Sequence, residues 1–260
     1  MIETLSLAEL KNRLSRSKKI PLAASLEITY ACNLACVHCY NPTHKAEPGE
    51  LNLKELFSIL DNLAKIGCLT LTVTGGEIFA HPHLFEILDY AQKLSLQLNL
   101  FTNATLLTPE RLSKLKQIGP NLISVSVYGI TCETYEKVTR VSGSFEKFMT
   151  GVSLLKTSGL PLLFKMPVMT LNAHELHAAQ QWFHSQNLKF IHSVEIHPRV
   201  DGSLAPLEFR LSPEETAKLR IESQEDLSCA LLAKQTGNLT TQPFPAVAEK
   251  PRQQSHLTEK

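Results

Sequence analysis

The sequence predicts an α/β fold: a partial, open (β/α)6 version of the TIM-type barrel, built from parallel strands. Two observations carry it. Between residues 22 and 212, six short β-patterned runs alternate with longer helical patterns, and such alternation produces parallel strands joined by right-handed crossovers. The 260 residues, 43% hydrophobic and 20% charged, suffice for one sizeable core, since single domains commonly reach about 250 residues. That composition excludes a disordered chain, a collagen and a mini-protein scaffold. Six strand–helix units fall short of the eight that close a barrel of this type.

In chain order, Leu5, Leu7, Leu10 and Leu14 recur at helical spacing, so residues 5–17 read as an amphipathic lid or brace within a lead-in of residues 1–21. The strands are expected at 26–29 (LEIT), 69–74 (LTLTVT), 96–101 (LQLNLF), 122–127 (LISVSV), 162–169 (LLFKMPVM) and 192–197 (HSVEIH). Helices are expected at 53–65, 82–94, 108–117, 131–139, 144–158 and 173–185. Thr108 before Pro109 and Glu110 is a helix-start signal, as is Asn172 followed three residues later by Glu175. After Ser212 the pattern changes. One more helix (SPEETAKLRIES) precedes a polar, proline-containing stretch without periodicity, so residues 213–260 are expected to be a helix and a disordered tail.

Lys and Arg total 26 against 25 Asp and Glu, which leaves no basic footprint for nucleic acid or for an acidic membrane surface. The amino terminus mixes acids with bases and lacks a secretory signal, and no apolar run approaches the roughly 20 residues of a membrane span. A cytoplasmic location is the expectation. Thiols stay reduced there, so the six cysteines read as ligands, nucleophiles or core residues rather than disulfides.

Three of them form Cys32-Asn-Leu-Ala-Cys36-Val-His-Cys39-Tyr40, a C-x3-C-x2-C spacing on the loop after the first strand. Soft thiolates at this spacing can hold three irons of a cubane cluster and leave the fourth open to a chelating small molecule. Zinc held by the three thiolates and His38 or His44 is the alternative. The spacing, its place after the first strand and the motifs below resemble the radical S-adenosylmethionine (radical SAM) superfamily over roughly residues 22–212. The resemblance implies a [4Fe-4S] cluster on Cys32, Cys36 and Cys39, with SAM chelating the open iron. Reductive cleavage of the sulfonium then yields methionine and a 5′-deoxyadenosyl radical.

The second strand runs into Gly75-Gly76-Glu77. Glycines there let the backbone approach a ligand, and in the resembled family this GGE motif holds the SAM amino group. The family's following proline is Ile78 here. Thr102 and Asn103 end the third strand at the same rim, and Tyr40 adjoins the third cysteine. Ser124 and Ser126 share one face of the fourth strand; Ser126 resembles the family's ribose-contacting residue, with a plain barrel-lining serine as the alternative. Tyr128-Gly129 stands where peptide-maturing relatives carry Asp-Gly, so no acid role is carried over. TYEKVTRVSGSF resembles the segment that follows in that branch, and Arg140 would pair with the SAM carboxylate as a bidentate fork. Asn172 ends the fifth strand, and Glu195, His197 and Arg199 lie near the end of the sixth; Lys165 and Met166 read as wall. Cys68 reads as core and Cys132 as structural near a helix start.

The branch of closest resemblance matures peptides and proteins and carries a cysteine-rich SPASM extension. Cys229 would begin it, yet no cysteine follows, and one thiolate cannot hold an auxiliary cluster. The reading is a radical SAM enzyme with a truncated extension, acting on a peptide or protein at the strand ends behind an apolar wall. Its electrons would come from a donor such as flavodoxin or ferredoxin. The alternatives are a small-molecule, cofactor-building enzyme, a non-catalytic cluster-binding remnant, and a zinc-binding interaction module.

Overall fold

The computed structural model describes residues 20–219. Six strands form one sheet in strict chain order: β1 (Ala23–Glu27), β2 (Thr70–Thr74), β3 (Gln97–Thr102), β4 (Leu122–Ser126), β5 (Leu162–Pro167) and β6 (Phe190–Ser193). All five pairings are parallel. Six helices return the chain: α1 (Leu53–Lys65), α2 (Leu84–Lys93), α3 (Pro109–Ile118), α4 (Cys132–Thr139), α5 (Ser144–Lys156) and α6 (Leu176–Ser185). The chain divides into two compact units, Met1–Ser212 and Pro213–Lys260. Every element named here belongs to the first; of the second, residues 213–219 are described and are helical. The predicted helix at 5–17, the tail and Cys229 lie outside the described residues.

Local chemistry explains the helix boundaries. Asn52 caps α1 by accepting from the Glu55 amide, while the Glu55 carboxylate accepts from the Asn52 amide, a reciprocal capping box. Thr108 caps α3, Pro109 opens it, and Gly119 closes it in the left-handed region. The helix expected at 173–185 begins instead as a 3-10 turn over Ala173–Glu175. There the Glu175 carboxylate accepts from the Ile130 amide and the Thr131 hydroxyl, which ties that turn to the loop before α4. The last strand starts two residues earlier than expected because Phe190 pairs with Phe164 and stacks on Phe183 of α6 at 4.9 Å. It ends at Ser193, and Ile196 then packs on Val37, Val138 and Met169.

Crossovers between parallel strands follow one hand as a rule, so a sheet whose strand order never reverses keeps its helices on one face. Leu71, Val73, Leu98, Leu100, Ile123, Val125, Phe164 and Met166 are buried on that side. The alternating positions point the other way, to an inner face that carries Thr72, Asn99, Phe101, Ser126, Lys165 and Ile191. Phe101 is 37% and Ile191 47% exposed, so this face is open rather than filled in layers as in a closed barrel. Among the described residues no helix is long and apolar enough to cross a membrane.

Candidate active site

The long loop between β1 and α1 is held at both its ends and its middle. The Cys32 amide donates to the His44 carbonyl at 3.0 Å, and the amides of Ala35 and Val37 donate to the carbonyls of Thr139 and Val138, each at 3.0 Å. The loop thus rests on the last turn of α4. Buried Asn41 donates to the Tyr30 carbonyl at 2.7 Å and accepts from the Thr43 and His44 amides, folding the segment after the cysteines back on the strand exit. Within this frame Cys36 is buried and Cys32 and Cys39 are half-buried.

All three thiols line one cavity at the carboxyl ends of the strands, together with Tyr40, Gly75, Gly76, Thr102, Asn103 and Ser126. These nine residues singled out in the sequence therefore meet at this rim. Parallel α/β sheets gather ligands at that edge.

Burial pushes the Cys32 thiol up to about 11, with the nearby Glu77 and Cys39 adding to it against the Leu34 amide. Burial raises Cys36 well above the ordinary thiol range and raises Cys39 as well. The thiols are therefore protonated at neutral pH without a metal, and a soft metal that takes them as thiolates releases protons. Among the described residues no three His, Cys, Asp or Glu side chains converge on a single ion. A cubane, whose irons sit at separate corners, asks for no such convergence. Three buried nitrogens around this loop, His38 Nδ1, His44 Nδ1 and Arg199 Nε, have no hydrogen-bond partner. A neutral imidazole nitrogen donates or accepts according to its tautomer, so the two histidines suit a cluster sulfide and a zinc ion alike, whereas the Arg199 guanidinium only donates and suits anionic sulfur.

The Gly75-Gly76 pair is demanded first by the protein itself. A Cβ at Gly75, whose φ is +137°, would lie 2.3 Å from the Thr29 carbonyl oxygen, and one at Gly76 would lie 2.4 Å from that of Ala31. The Gly76 and Glu77 amides donate to those same carbonyls at 2.8 and 2.9 Å. The strand exit of β2 is thus pressed against the start of the cysteine loop, and its other side is left facing the cavity.

Glu77 does not face the cavity. It is 0% exposed, and its carboxylate accepts from the Thr102 hydroxyl at 2.7 Å, the Asn103 amide at 2.7 Å and the Phe79 amide at 3.1 Å. Burial pushes its pKa up against those three donors. Its role is to join the exits of β2 and β3, which aims Asn103: that side chain donates to Asn33 at 3.2 Å and points at Cys32 Sγ, 3.8 Å away.

Two further expectations are corrected. Arg140 caps α4 in the left-handed region, exposed, and does not line the cavity. Asn172 is fully buried: it accepts from the Met169 amide and donates to the carbonyls of Tyr128 and Pro167, at 2.8, 3.1 and 3.0 Å. It ties the exits of β4 and β5 and has no hydrogen left for a ligand. The wall is mixed, Thr72, Thr74, Asn99 and the two β4 serines sharing it with Phe101, Leu122, Leu163 and Ile191.

The structure also places residues to which the motifs gave no settled task. Tyr128 lies within hydrogen-bonding reach of the Cys36 thiol and the Ser126 hydroxyl, and its ring centroid is 5.2 Å from that of His38. Burial pushes His38 down to about 4, so it is neutral at physiological pH. Tyr40 donates to Glu27 at 2.6 Å. Glu195 and His197 are exposed. Arg199 instead lies near Cys39 and lowers its thiol pKa, though burial outweighs it. Cys68 is buried with its thiol on the Thr70 carbonyl, and Cys132 is exposed at the start of α4.

Comparison with known proteins follows the same outline. The AdoMet-dependent heme synthase of Methanosarcina barkeri is 36% identical over 157 residues, covering 60% of this chain and 45% of that protein. The antilisterial bacteriocin subtilosin biosynthesis protein AlbA of Bacillus subtilis is 32% identical over 191 residues, 70% of this chain and 43% of that one. The chain thus spans less than half the length of either. Crystal structures of Streptococcus suis SuiB share the fold: the SAM-bound one has a TM-score of 0.67 at 12% identity, covering 88% of this chain and 55% of that one. The one bound to the precursor peptide SuiA has a TM-score of 0.60 at 14% identity, covering 74% and 46%. The radical SAM superfamily model matches residues 26–183, from β1 into α6, and with that match the chain belongs to the radical SAM superfamily of enzymes.

Proposed function

We propose that this chain holds a [4Fe-4S] cluster on Cys32, Cys36 and Cys39, binds SAM at the strand ends, and acts on a peptide or protein substrate. The observation that supports this reading most is the cavity that three thiols, one buried and two half-buried, line together with the Gly75-Gly76 backbone and Ser126. When bound, the cluster supplies the electron that cleaves SAM to methionine and a 5′-deoxyadenosyl radical. The protein's part is placement. The Gly75-Gly76 backbone offers polar groups at a rim that side chains would block, Asn103 orders the loop beside Cys32, and Ser126 offers its hydroxyl to the nucleoside. Tyr128 and His38 form a neutral, aromatic patch over Cys36 that keeps water from the thiolates.

Peptide substrates are supported by the likeness to AlbA and to SuiB bound to a precursor peptide. A small-molecule substrate is the second reading, favoured by the 36% identity to a heme synthase. A reductant such as flavodoxin or ferredoxin is proposed to deliver the electron. The test is anaerobic reconstitution of the full chain, with iron and sulfide analysis, followed by dithionite and SAM. The expected outcome is about four irons per chain and release of 5′-deoxyadenosine, both lost in Cys36→Ala. Cluster-free protein, or SAM cleavage that survives in the variant, overturns the reading.

A further inference from the structure

The inner face carries one cation with no acid to meet it. Lys165 on β5 pairs in register with Ser126 on β4, and Ser124 pairs with Phe101 on β3. The lysine side chain crosses β4, and its Nζ comes to rest 4.1 Å from the centroid of the Phe101 ring. Among the described residues no carboxylate oxygen lies within ion-pair distance of it. The one carboxylate on the same face at β1, Glu27, already accepts from Tyr40. Beneath the lysine, Ser124 is 3% exposed and its hydroxyl has no hydrogen-bond partner. Phe101 lines the cavity beside the cysteines, whereas Lys165 does not, so the ammonium stands at the cavity's border, where a second molecule would meet SAM. Partial burial lowers the lysine pKa. A desolvated ammonium resting on an aromatic face has a weaker partner than a carboxylate.

Resting on the reading above, we infer that Lys165, with the β4 serine Ser124, forms a carboxylate subsite that takes an acidic group of the substrate. In a peptide this is an Asp or Glu side chain or the chain terminus. On binding, the ammonium swings from the Phe101 ring to the carboxylate and uncovers the Ser124 hydroxyl as a second donor. Phe101 is then free to pack against the rest of the substrate.

The test uses the reconstituted full chain and glutarate as probe, with glutaramide as its uncharged match, followed by saturation-transfer NMR. Glutarate is expected to bind at least about tenfold more tightly than glutaramide, to weaken about tenfold in Lys165→Gln, and to stay within about threefold in Lys165→Arg. Circular dichroism confirms that each variant is folded. Equal binding of the two probes, or glutarate binding that Lys165→Gln leaves intact, overturns the subsite. SAM affinity is measured on the same samples: a tenfold loss in Lys165→Gln would assign the carboxylate to SAM itself and overturn its assignment to substrate. Protein that takes up no cluster yet binds glutarate through Lys165 refutes the cofactor reading and leaves the subsite standing. SAM cleavage without glutarate preference refutes the subsite alone.

Discussion

Replacing Glu77 by alanine removes the one acceptor that three donors share: the amides of Phe79 and Asn103 and the hydroxyl of Thr102. The native side chain is 0% exposed, so in the variant these donors are left inside the fold with at best a trapped water in place of the carboxylate. Bonds to a charged acceptor contribute about 1.5–3 kcal/mol each, and orphaned buried donors are costly in their own right. Against this, the folded state no longer buries a carboxylate, which returns part of the loss. A net destabilisation of about 4 kcal/mol is expected, and at a slope of about 2 kcal/mol per molar urea the midpoint drops by about 2 M. Glu77→Gln keeps one acceptor oxygen but turns an NH2 toward a donor, so it falls between alanine and wild type. The assay is urea unfolding of the reduced, metal-free chain without SAM, followed by circular dichroism. The absence of SAM is what makes the result decisive. A carboxylate serving only to grip the SAM ammonium leaves this curve unmoved, so a Glu77→Ala midpoint within about 0.5 M of wild type refutes the clamp.

Gly76→Ala forces a methyl into a space where the Ala31 carbonyl oxygen is 2.4 Å away. The β2 exit and the cysteine loop then cannot both keep their places, and the variant is expected to lose iron binding in anaerobic reconstitution along with stability; full iron uptake contradicts the contact. Acid sensitivity has a nameable source in Glu50. Burial opposes its ionisation, but the Tyr30 and Glu47 amides and the Thr29 hydroxyl outweigh that and hold its pKa below the usual 4.5. A carboxylate depressed in the folded state stabilises above its unfolded pKa, and that stability is lost as pH falls through the folded value. Urea midpoints measured at pH 7 and pH 4 should therefore converge in Glu50→Gln relative to wild type, and an unchanged pH dependence contradicts the assignment.

Much of the fold was legible because local chemistry and packing agreed. Leu56 and Leu60 sit one helical turn apart behind a capping box, and α1 begins and ends where residues 53–65 were expected. Thr108-Pro109 and Gly119 bracket α3 in the same way. The first strand lies at Ala23–Glu27 rather than 26–29, and two other misplaced boundaries are set by distant partners. Phe190 joins β6 because Phe164 and Phe183 receive it. Residues 173–175 tighten because Glu175 reaches back across 44 positions to Thr131. No local pattern carries either contact.

At the site, motif spacing located residues well and assigned their tasks less well. Cys32, Cys36 and Cys39 lie close together in the chain on one loop, so spacing alone brings their thiols to one cavity. Glu77 and Asn172 also lie at strand exits, but an exit must first satisfy the amides and carbonyls of chains that have just left the sheet. A carboxylate with two acceptor oxygens and an amide with both donors and an acceptor are well suited to that work, and here they are consumed by it. The polar positions of the wall had a signature too. Parallel strands covered on both faces read as near-continuous apolar runs, yet LTLTVT alternates throughout, and LQLNLF and LISVSV alternate except at Leu100-Phe101 and Leu122-Ile123. Since in-order crossovers put every helix on one side, the alternate polar residues belong to an uncovered face. Lys165 among apolar neighbours in LLFKMPVM is that same alternation carrying a charge, which the uncovered face lets rest on the Phe101 ring.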